Sequence, residues 1–205
     1  MNEKNLIRAA KYFSLCFTPL IVPFIGLAAL LFISYLNVFP ILFKLLLLAM
    51  IYLFTVLAPK LMIRLYRYIN GWTSRQMGLK ERRIVPYALS ITCYIFCLLL
   101  MYRLHLPRFM SGILVASLVG LITCAVINIW WKISAHMAGI GGITGGLISF
   151  SILFGFNPVW YLCLALLVSG ALGTCRIVLR QHTLAQVAVG WLVGFLCGVF
   201  GILLM

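Results

Sequence analysis

Apolar runs of about twenty residues, separated by short polar stretches, recur along this chain at 13–36, 39–59, 87–104, 109–131, 138–155, 158–175 and 185–204. Wound as an α-helix, a run of that length matches the hydrocarbon thickness of a bilayer, so each reads as a membrane span. The intervening turns Asn37–Pro40, His105–Arg108 and Phe156–Pro158 are so short that neighbouring spans must form antiparallel hairpins. Proline at 40, 107 and 158 suits the start of the following helix, where no backbone N–H is required. Pro19 and Pro23 are placed to kink the first span. Lys60–Trp72 has a different pattern, with Lys60, Arg64 and Arg67 at three- and four-residue spacing among Leu61, Ile63, Leu65 and Tyr66. It fits an amphipathic helix lying in the membrane interface, or a surface extension of the second span. The expected fold is all-α: a polytopic transmembrane bundle of six to seven spans with an interfacial helix at 60–72, forming a single membrane domain over 1–205.

Composition supports this pattern. Of the 205 residues 65% are apolar and 9% charged, and the mean hydropathy is +1.17. A water-soluble fold needs more polar surface than that. Glu3 and Glu81 are the only side-chain carboxylates. Their scarcity excludes oxygen-rich magnesium or calcium sites, paired-carboxylate hydrolysis and a Ser-His-Asp triad. His105, His136 and His182 are far apart in sequence and no C-x-x-C pair exists, so zinc is disfavoured. No metal and no other cofactor is expected. The seven cysteines fall in or beside apolar stretches, which suggests small hydrophobes and not a disulfide framework.

The net charge of +14 would point to nucleic acid in a soluble protein. Here the cations lie at helix ends, which favours topology and anionic lipid headgroups as their partners and argues against nucleic acid. The basic segment 1–12 precedes an apolar run of over 20 residues and reads as a retained first span, not a cleaved signal. With seven crossings, one face collects Lys4, Arg8, Lys11, Lys60, Arg64, Arg67, Arg75, Lys80, Arg82, Arg83, Lys132, Arg176 and Arg180, while Arg103, Arg108 and Lys44 lie opposite. The positive-inside rule places the rich face in the cytoplasm, in a multi-pass protein of the bacterial inner membrane type.

Three polar clusters interrupt the apolar sequence on that face: 74–86 (SRQMGLKERRIVP), 131–137 (WKISAHM) and 175–186 (CRIVLRQHTLAQ). Each lies where a helix starts or stops, so bundle packing would gather their cations and two histidines, with Glu81 the one nearby acid. Arginine offers a planar fork for phosphate and lysine a mobile point charge. Helix N-termini near His136 and His182 would add backbone donors. The histidine pair adds a nucleophile and a proton donor that work near neutral pH. Phosphoryl transfer through a phosphohistidine needs neither metal nor aspartate if cations stabilise the equatorial oxygens. The bland alternatives are a helix-end histidine at each position, a snorkelling Lys132 and headgroup anchors at Arg64, Arg67 and Arg180. The glycines of AGIGGITGG (138–146) read as a close helix–helix contact.

Arg176-x5-His182 followed by x3 to Gln186 resembles the third signature of the type 2 phosphatidic acid phosphatases, S-R-x5-H-x3-D. Ile133-Ser134-Ala135-His136 resembles their second, P-S-G-H. Arg75-x6-Arg82 and Arg83-Ile-Val-Pro86 echo the first, K-x6-R-P, with Arg for Lys and a displaced proline. The separation of the two histidines, one hairpin of two spans, also matches. The resemblance covers about 74–190 and implies a phosphatase-like core at about 74–205. It implies that His182 attacks phosphorus, that His136 protonates the leaving alkoxide and then helps activate water, and that Arg176, Lys80 and Arg82 or Arg83 hold phosphate oxygens. Ser134 would add a hydroxyl or backbone donor, and Lys132 and Arg75 would add charge. Cys175, Ile133 and Ala135 depart from the pattern. Gln186 departs most, standing where the family has the aspartate that orients the nucleophile.

The resemblance thus implies a metal-independent phosphatase of a membrane lipid phosphate: phosphatidate, phosphatidylglycerophosphate or a polyprenyl phosphate or diphosphate. The cytoplasmic placement tilts that choice towards an isoprenoid phosphate. A carrier or scramblase that binds a lipid phosphate without cleaving it is the competing reading, favoured by Gln186. A structural membrane subunit is the third. Oligomeric state is not legible in the sequence.

Overall fold

A computed structural model describes residues 3–33, 35–72, 82 and 84–204, and every regular element among them is helical. The elements are α1 (Glu3–Cys16), α2 (Val22–Ile33), a 3-10 turn (Tyr35–Val38), α3 (Ile41–Tyr52), a π-helical stretch (Leu53–Leu57) and α4 (Ala58–Ile69). They continue with α5 (Ile84–Arg103), α6 (Arg108–Trp130), α7 (Ala135–Phe154), α8 (Val159–Val178) and α9 (Leu184–Leu203). Six described helices are long and apolar enough to cross a membrane: Ile41–Ile69 and each of α5 to α9. Their outer faces expose residues such as Leu164 and Leu167, which water would penalise and lipid accommodates. The chain is a multi-pass α-helical membrane protein.

Two expectations change. The run at 13–36 is not one span. It divides into the basic helix α1 and the short apolar α2, with a turn closed by Ile21 N–H donating to Thr18 O at 3.0 Å. Pro19 lies in the break and Pro23 in the first turn of α2, where no backbone donor is needed and where an uninterrupted helix from α1 could not be continued. The 60–72 segment is the surface extension, not a separate interfacial helix. α3, the π-helical stretch and α4 form one continuous helix of 29 residues. At about 1.5 Å per residue that exceeds the hydrocarbon thickness, so its basic end projects beyond it.

Helix ends on one face of the bundle are closed by backbone geometry. After α8, Arg180 adopts φ 51°, with Arg180 N–H bonded to Ile177 O and Gln181 N–H to Arg176 O, a Schellman motif. After α4, Gly71 (φ 62°) does the same and folds Trp72 back onto Tyr66. Pro40, Pro107 and Pro158 occupy the N-cap positions of α3, α6 and α8. On the opposite face the buried Lys44 donates to the backbone and side-chain oxygens of Asn37, closing the α2–α3 connection.

The main core lies among α2, α3, α5 and α6, around Leu31, Ile51, Tyr94 and Leu114. The closest helix pair is α7 with α9. A methyl added at Gly141 or Gly145 would strike the α9 backbone at Trp191 or Phe195, and one at Gly194 or Gly198 would strike the α7 backbone at Ala138 or Gly142. Small residues at four-residue spacing therefore bring the two backbones into contact. That contact sets His136, near the start of α7, beside the start of α9.

Candidate functional site: two helix N-termini with a histidine at each

α9 begins with a capping box. Thr183 Oγ accepts from Gln186 N–H at 3.4 Å, and Gln186 Oε1 accepts from Thr183 N–H at 3.2 Å. The same Oε1 lies 3.1 Å from His182 Nδ1. Because a backbone N–H can only donate, the atom facing Thr183 is the amide oxygen, and the hydrogen shared with His182 must come from Nδ1. His182 Nδ1 therefore carries a hydrogen, and the bond to Gln186 fixes the orientation of the ring. Gln186 supplies the orientation that an aspartate would, without its charge.

α7 begins one residue after Ser134, which caps it in extended geometry (φ −88°, ψ 100°). Ser134 is fully buried, its N–H donates to Gln186 O at 3.3 Å, and Gly190 of α9 packs against its carbonyl. The starts of α7 and α9 are thus tied together, and their first-turn N–H groups and positive dipole ends share one region. His136 is half-buried there, hydrogen-bonded to the Ser14 backbone and close enough to Arg176 and His182 for their charges to reach it.

Arg176 comes from the last turn of α8. Its Nη1 donates to Ser14 Oγ at 2.9 Å, across 162 residues of sequence. Lys132 Nζ donates to Gln181 O, so the Schellman turn after α8 presents a carbonyl to the loop before α7. Arg82 stacks on Trp72, with its guanidinium carbon 4.1 Å from the ring centroid. Among the described residues, Arg176 Nε, Arg82 Nη1 and Ser134 Oγ are buried polar atoms without a hydrogen-bond partner, as are Thr55 Oγ1 and Tyr94 Oη elsewhere in the bundle. Each unmet buried donor costs about 1–3 kcal/mol. Of these, Arg176 Nε and Ser134 Oγ belong to the region of the two helix N-termini, a setting that favours an anion rich in oxygen acceptors.

Ser134, His136, Arg176, His182 and Gln186 therefore come together, and Lys132 joins them through the Gln181 carbonyl. Arg82 lies at the start of α5, on the same face, anchored to Trp72. Arg75, Lys80 and Arg83, like Glu81, lie outside the described residues. His105 is on the opposite face, in the turn after α5. Sequence reasoning missed Ser14 and Thr183. Thr183 was legible as an N-cap three residues before Gln186. Ser14 had no local signal, being one polar residue inside an apolar run. Trp72 packs against Tyr66 and beneath Arg82.

The arrangement combines an imidazole of fixed orientation, a second imidazole nearby, and buried guanidinium and hydroxyl donors. Those parts suffice for nucleophilic attack, proton transfer and charge stabilisation on one small anion. Compared with known proteins, the chain matches no family model, no curated protein and no solved structure.

Proposed function

We propose that the protein is a metal-independent phosphatase of a membrane lipid phosphate, related to the type 2 phosphatidic acid phosphatases. The observation that carries this reading is the hydrogen bond between His182 Nδ1 and Gln186 Oε1, set beside Ser134, His136 and Arg176. It supports the reading because an amide oxygen stands where the family's aspartate would orient the nucleophile.

In the proposed reaction His182 Nε2 attacks phosphorus in line with the ester oxygen, forming an N–P bond as the P–O bond breaks. His136, protonated once the anionic phosphate is bound beside it, gives its proton to the departing alkoxide, which leaves as the lipid alcohol. The neutral His136 then takes a proton from water as that water attacks the phosphohistidine, releasing inorganic phosphate and restoring both rings. Arg176 and Arg82 hold the equatorial oxygens and Ser134 donates its hydroxyl. Lys132 adds charge, as would Arg75, Lys80 and Arg83. The positive-inside bias favours the cytoplasmic side for this face, in a membrane of the bacterial inner type on this reading, with anionic headgroups around the exposed cations.

Phosphate release by purified protein from phosphatidate, phosphatidylglycerophosphate and polyprenyl phosphates tests the reading. Release that survives a chelator and disappears in His182→Ala is expected. Binding of these lipids with no release from any of them would replace the phosphatase with a lipid-phosphate carrier.

A further inference from the structure

An apolar groove runs through the bundle between α2, α6, α7 and α9, with a cavity volume of about 110 Å³. One end lies at Ala135 and Gly139 in the first turns of α7, whose start also carries Ser134 and His136, and the other at Phe150, Phe156 and Ile202. Fifteen residues of α7 separate Ala135 from Phe150, roughly 22 Å of the ~30 Å hydrocarbon thickness. A dry apolar cavity holds no water, and unfilled space forfeits dispersion contacts along both walls. Within a bilayer, the group that fills such a groove is hydrocarbon.

Two kinds of glycine line it. At Gly194 and Gly198 an added methyl would strike the backbone of α7, so helix packing demands glycine there. Gly120 and Gly142 differ. A methyl at Gly120 would meet only the Cys197 Cβ at 3.8 Å, and one at Gly142 only the Gly194 carbonyl at 3.6 Å, both ordinary contacts. Glycine in a helix interior costs up to about 1 kcal/mol relative to alanine, and no packing at these two positions requires it. Their effect is to keep the groove open.

We infer that this groove seats one hydrocarbon tail of the lipid whose phosphate lies between His136 and His182. The inference rests on the lipid-phosphate reading for its headgroup. It commits to a single tail because the far side of the site is closed: Phe13 and Phe17 of the N-terminal segment pack on Met137, Ile140, Leu172 and Val187. A second tail has to lie on the lipid-facing surface.

Hexadecyl phosphate bearing a diazirine at the tail end, irradiated with the full-length protein in nanodiscs, tests this. The expected label maps to peptides containing Phe150, Phe156 or Ile202. Label confined to the outer surface of α8, at Leu164 and Leu167, would overturn the inference. As a second arm, Gly120→Leu and Gly142→Leu should reduce hexadecyl phosphate binding relative to butyl phosphate by about tenfold or more. Gly170→Leu, which faces open space on α8, should not. Equal long-chain to short-chain ratios in all three variants would also overturn it. Groove labelling without phosphate release from any lipid would remove the phosphatase and leave the tail site, whereas release with surface labelling would do the reverse.

Discussion

At the residue scale, one amide at Gln186 both caps α9 and holds the His182 ring, and the two roles can be separated. Gln186→Ala removes both, Gln186→Glu keeps both acceptor contacts, and the account predicts different responses. Turnover of Gln186→Ala should fall by about 100-fold, within the range for losing a positioned acid–base group. Gln186→Glu should recover most of that loss. If alanine lowers only thermal stability, by the ~1 kcal/mol of a lost cap, the residue is a cap and nothing more. Arg180 offers a second test. A non-glycine residue at φ 51° costs about 1–2 kcal/mol. Arg180→Gly should therefore raise the unfolding temperature while turnover stays unchanged, and a lower unfolding temperature would show that the arginine side chain contributes more than its backbone costs. The His182–Gln186 contact was legible because residues four apart meet on a helix start. Ser14, bonded to Arg176 across the whole chain, was not, since only tertiary packing brings α1 to α8.

At the element scale, the α7–α9 contact positions everything else, and its glycines divide into those that packing requires and those it does not. Gly194→Leu should destabilise the protein by more than the ~1–3 kcal/mol typical of overpacking, because the obstacle is the Ala138 backbone and cannot move aside. Gly142→Ala should be tolerated or stabilising. Thermal unfolding of the two variants in detergent decides this, and equal losses would mean the glycine stripe acts through helix flexibility and not through contact. Sequence located the later spans closely, because an apolar run flanked by prolines and cations has one outcome in a bilayer. It misjudged the first run, where hydropathy outweighed Pro19 and Pro23. The π-helical stretch at Leu53–Leu57 left no compositional mark, since its apolar residues would suit an ordinary helix turn equally well.

For the whole molecule, the near absence of carboxylates and the gathering of donors at one face form one argument. On the proposed reading, a protein with two acids stabilises phosphoryl transfer with cations, helix termini and hydroxyls. Activity should then persist in excess chelator, and its loss would mean that a metal carries charge that the arginines do not. Membrane sidedness is a separate matter. A cysteine at Ser74 should react with an impermeant reagent only from the cytoplasm, and one at Asn157 only from outside; the opposite pattern would move the site outward without altering its chemistry. The central claim is that His182 carries the phosphoryl group, and trapping that species is its most direct test. Protein mixed with a lipid phosphate and quenched in alkali, which preserves phosphohistidine, should show a phosphoryl adduct on the His182 peptide by mass spectrometry. The adduct should be absent from His182→Ala. Phosphate release from the intact protein with no adduct on His182, or with the adduct on another residue, would contradict the account.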